Sequence, residues 1–133
     1  MPVPVCLAMV VADSHYKDPF TSKHTLLGIF STLGGSGFPL THPHLSVYVA
    51  LSDGHGRTPI LLEMLDADEE REPVFKFEGH VDFEDPRNVI EMCFGTSVIQ
   101  FPEPGEYRLK LFAGREFIME RKILVSLTPG PAS

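Results

Sequence analysis

The segment THPHLS sets His42 and His44 two residues apart, which puts both imidazoles on one face if the chain is extended there. Pro43 disfavours a helical conformation at His42 and so favours that geometry. Two imidazoles would supply half of a zinc or iron site, since such sites usually require three or four ligands. His15, His24, His55 and His80 stand in separate segments with no matching carboxylate motif. His42 and His44 are therefore the candidate metal ligands, and the competing reading is a strand entrance whose histidines cap or pack. The run DADEE, with Asp66, Asp68, Glu69 and Glu70, spaces carboxylates as calcium loops do. It lacks the glycine and the distal glutamate of an EF-hand, and reads as a charged hairpin tip.

Gly34, Gly35, Ser36 and Gly37 form a glycine run that could be taken for a phosphate cradle. Such loops work by opening a helix, and in P-loops by presenting a lysine and a hydroxyl, but here FPLTHP follows. A flexible connector able to close over a ligand is the expectation. Ser14 beside His15, and Cys93 near Glu91, lie in neither a nucleophile elbow nor a thiol signature. Paired carboxylates for glycoside hydrolysis depend on a separation in space that one acidic stretch does not define. No catalytic residue is assigned, no cofactor is expected, and whether the chain is an enzyme is left open.

Eighteen Asp and Glu against eleven Lys and Arg give a net charge of −7, which disfavours approach to nucleic-acid phosphates and anionic lipid. Neither is expected as a partner. The apolar run from Val5 to Ala12 follows no basic residue and is too short to span a bilayer, so it reads as a first buried strand. Without an export signal the expected location is cytoplasmic. There Cys6 and Cys93, each flanked by apolar residues, are expected to behave as small buried hydrophobes.

These groups must be held by strands. Leu45, Val47, Val49 and Leu51 alternate with Ser46, Tyr48 and Ala50, and Phe75, Phe77, Val81 and Phe83 alternate with Lys76, Glu78, His80 and Asp82. That is the period of strands with one face in a core. PILLEML is apolar at both parities, which suggests a central strand. With TLLGIFST, NVIEMCF, the N-terminal run and two final strands joined at AGRE, about eight short strands are separated by frequent turn signals. The expected fold is all-β: one antiparallel β-sandwich over residues 1–127, immunoglobulin-like or a related Greek key, with a flexible tail at 128–133. In FPEPGEY, Pro104 and Gly105 make a turn and Tyr107 starts the strand beyond it, as in a tyrosine corner whose hydroxyl ties the crossover to the backbone.

VVADS, LLGIF, FPLTHPHLSVYVALSD and FPEPGEYRLKLF together resemble a family of short bacterial proteins with no assigned function. The resemblance covers nearly the whole chain. It implies a small intracellular single-domain protein with an immunoglobulin-like or related sandwich, and it supplies no catalytic residue. The expected function is a non-enzymatic interaction or scaffold module that binds a protein partner through a strand edge or loop cluster. The N-terminal strand or the final strand at 118–127 is the expected edge, and a homodimer through it is one form the interaction could take. The alternative is a small-molecule or metal-binding protein centred on His42, His44 and the glycine run.

Overall fold

The computed structural model describes residues 3–67 and 71–128, and among them every regular element is a strand. In chain order these are β1 (Val5–Lys17), β2 (His24–Ile29), β3 (Thr32–Gly35), β4 (Leu40–His42), β5 (Leu45–Ser52) and β6 (Gly56–Asp66). They continue with β7 (Phe75–Phe83), β8 (Ile90–Thr96), β9 (Ile99–Phe101), β10 (Gly105–Ala113) and β11 (Glu116–Leu127). One sheet has the order β2-β1-β5-β8, a second β3-β11-β10-β6-β7, and β4 pairs with β9 in a small third.

Eleven strands replace the expected eight or so. The added ones are β3, β4 and β9, each of four residues or fewer and so too short to show an alternation. TLLGIFST is two strands, broken at Phe30 and Ser31, and the halves join different sheets. The pairing is not wholly antiparallel, because β3 runs parallel to β11, with Thr32 opposite Leu124 and Gly35 opposite Leu127. This also corrects the reading of the glycine run: Gly34 and Gly35 are strand residues, and a side chain on Gly35 would collide with Leu40. Within the run, only Ser36 and Gly37 lie in a bend, which continues through Phe38 and Pro39.

The expected edges are open along part of their length: among the described residues, 5–10 of β1 pair only with β5, and 116–123 of β11 only with β10. β1 lies between β2 and β5, and β11 between β3 and β10. At 13 and 12 residues, these strands are long enough to serve one partner along one stretch and another along the next.

The alternation in β5 has the predicted result, with Leu45, Val47, Val49 and Leu51 fully buried. They join Met9 and Val11 from β1, and Ile60, Leu62, Met64, Leu109, Leu111, Ile123 and Val125 from the second sheet, in a single hydrophobic cluster. β6 is interior to its sheet, as its double-sided apolar pattern suggests. The β10–β11 hairpin turns on Gly114 and Arg115, both at positive φ (61° and 69°), which is what a two-residue primed turn demands. A register shift beside Leu111 and Phe112 then places Phe117 opposite Phe112, and Phe117 is exposed rather than buried with Ile123 and Val125.

Candidate functional site

The chemistry-bearing side chains of the first sheet gather on the face turned away from the core. β5 presents Ser46 and Tyr48 on the parity opposite its core residues. Antiparallel pairing with β8 sets Gly95 opposite Ser46, Cys93 opposite Tyr48 and Glu91 opposite Ala50. His15 of β1 reaches this face, its Nδ1 3.0 Å from the Oγ of fully buried Ser46. His24 of β2 reaches it as well, its ring 5.7 Å from that of Tyr48 and its Nδ1 3.7 Å from the Cys93 sulfur.

Asp13 organises the predicted histidine pair. Its carboxylate accepts a hydrogen bond from His42 Nε2 at 3.0 Å, and its backbone carbonyl accepts one from His44 Nδ1 at 2.7 Å. A carbonyl oxygen only accepts, so His44 carries a proton on Nδ1 and turns its Nε2 away from this bond. That nitrogen lies 3.6 Å from the point a Cβ on Gly95 would occupy, and His15 Cε1 lies 3.9 Å from the same point. Both imidazoles thus stand over Gly95, at ordinary contact distance from where its Cβ would be. His42 turns instead to Asp13 and to the ring of Phe30, 5.6 Å away. The spacing of His42 and His44 brings them to one residue, but by different nitrogens and onto different acceptor atoms. Among the described residues no group of three or more His, Cys, Asp or Glu is arranged to hold a metal ion. Asp66 pairs with Arg71 at 3.6 Å, and the rest of the acidic run, 68–70, lies outside the described residues.

The thiols are half-buried. Burial and the charge of Glu91 push Cys93 up, and burial pushes Cys6 up despite its bond to the Ala8 carbonyl, the direction that disfavours a thiolate. Tyr48 donates to Glu91 Oε2 at 2.7 Å, and burial, then that bond and its charge, push the phenol up to about 12. An acid whose folded value exceeds its unfolded one keeps its proton longer in the folded state, so its contribution to stability is intact below 10.0 and is lost as the pH rises from there to about 12. Tyrosinate absorbance, taken as the difference between the wild type and Tyr48→Phe, should place Tyr48 near 12, and Glu91→Gln should bring it down. An unchanged titration in Glu91→Gln would show that Glu91 plays no part.

Across the second sheet, Tyr107 Oη donates to the Glu103 carbonyl at 2.6 Å and accepts from the Glu103 N–H at 3.3 Å, bridging the turn that holds Pro104. Gly105, at φ 148°, opens β10 from that turn.

A model of a family of unknown function, DUF6941, matches residues 7–126. The chain belongs to that family. No curated protein matches it. The span matched by DUF6941 runs from β1 into β11 and holds Asp13, the histidine face and Tyr107, so these features fall inside the family's own extent.

Sequence reasoning named His42 and His44 but not Asp13, His24, Ser46, Tyr48 or Gly95 as members of a site. The outward parity of Ser46 and Tyr48 was a usable signal. The missing datum was that β5 pairs with β8, which alone sets Gly95 and Cys93 beside them. No helix of the described residues is long and apolar enough to cross a membrane.

Proposed function

We propose that the two larger sheets form a β-sandwich, immunoglobulin-like or a related Greek key, serving as a cytoplasmic, non-enzymatic interaction module that takes a protein partner by strand addition at β2. The shared core of the two sheets and the Tyr107 bridge to Glu103 support the sandwich reading.

One observation carries the functional reading. β2 ends its sheet, pairs only with β1, and contains no charged residue or proline, the devices by which edge strands usually resist pairing. Leu27 and Ile29 on it are 55% and 63% exposed, and Phe20 in the preceding turn is 94% exposed. Of the other strands that end a sheet, β7 carries Lys76, Glu78 and Asp82, β8 carries Glu91, and β3 has four residues.

Affinity capture from the native cell extract at moderate salt should return a stoichiometric protein partner, a second copy of the chain included. Leu27→Lys should lose it while keeping the wild-type circular dichroism and melting temperature. A partner retained by Leu27→Lys would overturn the assignment to β2, and a clean monomer carrying a metal or small molecule would overturn the module itself.

A further inference from the structure

The second sheet carries a groove on the face turned away from the core. Pro59 and Leu61 of β6, Phe112 of β10 and the backbone at Gly79 of β7 line it, with Glu78 and Arg115 at its margins, and it encloses about 410 Å³. That volume lies within the roughly 300–1,000 Å³ of small-molecule sites, which are mostly apolar with a few placed polar groups. The T-shaped ring pair of Phe112 and Phe117, 5.8 Å apart, extends the apolar wall beyond Phe112.

The charges at the margins are not equivalent. Glu78 is matched by Lys76 at 3.1 Å. Arg115 has no ion pair or hydrogen bond to any described residue. Arg57, two residues before Pro59, donates to His80 Nδ1 at 3.2 Å and makes no ion pair among the described residues. Arg71, Arg87 and Arg108 pair with carboxylates, whereas Arg57, Arg115 and Arg121 make no ion pair among the described residues, and two of these three stand near Pro59. Arg115 is also held in the turn at φ 69°, a conformation a long side chain rarely adopts, which fixes where its stem departs.

We infer that this groove binds an amphipathic monocarboxylate, a small molecule whose alkyl or aryl body lies on Leu61 and Phe112 while its carboxylate pairs with Arg115. Shape supplies the apolar contact, and the unmatched guanidinium supplies the preference for an anion, since arginine meets carboxylate through two parallel N–H donors.

The test is an amide-resolved NMR titration of the whole chain with octanoate and, separately, with n-octanol. Octanoate should give saturable shifts at Leu61, Gly79, Phe112 and Arg115, and should bind up to about fivefold tighter than octanol, the range of a partly solvated charge pair. Arg115→Asn removes the cation while placing at positive φ a residue that tolerates it. It should weaken octanoate by about the same factor and leave octanol unchanged. Shifts absent from these four amides, equal affinity for acid and alcohol, or undiminished octanoate binding by Arg115→Asn would each overturn the assignment.

Discussion

Replacing Tyr107 by alanine should lower stability by about 3–5 kcal/mol, the range for emptying the site of a buried aromatic ring. Tyr107 is 1% exposed, with its ring edge-on to fully buried Phe101 at 4.9 Å. Its hydroxyl also closes the turn by donating to the carbonyl and accepting from the N–H of the same residue, Glu103. Tyr107→Phe keeps the ring and removes the hydroxyl, leaving those two backbone groups to find water, at about 1–3 kcal/mol. The midpoint of urea unfolding checks both, with an unchanged slope showing that the native state, not the unfolded ensemble, has been altered. Wild-type stability in Tyr107→Phe would mean that the ring alone secures this corner and that the bridge to Glu103 is incidental.

The second large effect lies on β6, where two adjacent leucines should answer differently. Leu62 is fully buried, opposite Leu111 on one neighbour and Phe77 on the other, and Leu62→Ala should cost about 2–5 kcal/mol. Leu61 points to the other face, opposite Phe112 and beside the groove, and is only half-buried. Leu61→Ala should cost about 1 kcal/mol, the centre of the distribution for single substitutions. Equal losses at the two positions would contradict the facing of this strand, and with it the register of the second sheet.

What could be read in advance was whatever depends on nearest neighbours along the chain. The two-residue period of Leu45 to Leu51 placed those side chains in the core, and AGRE specified the hairpin because only certain residues accept the backbone that a primed turn requires. What could not be read was pairing at a distance. The bonds from Asp13 to His42 and His44 span 29 and 31 residues, and the approach of His15 and His44 to Gly95 depends on that glycine arriving beside Ser46. The groove is of the same kind, since Leu61, Gly79 and Phe112 become neighbours only through the registers of β6 with β7 and β10. The exposure of Phe117 depends on a register shift in β10–β11 that has no compositional signature.

The parallel pairing of β3 with β11 has a consequence for how the molecule is made. Thr32–Gly35 find their partners only when residues 124–127 have been synthesised, and β10 likewise waits for β11 on one side. On the ribosome, therefore, β6 and β7 can form a hairpin early, but the second sheet stays incomplete until β11 has emerged. Contacts between segments so far apart form slowly, and unpaired strands are prone to join neighbouring nascent chains meanwhile. The exposure of this protein to misassembly is thus governed by how quickly β11 follows β3 and β10 out of the tunnel.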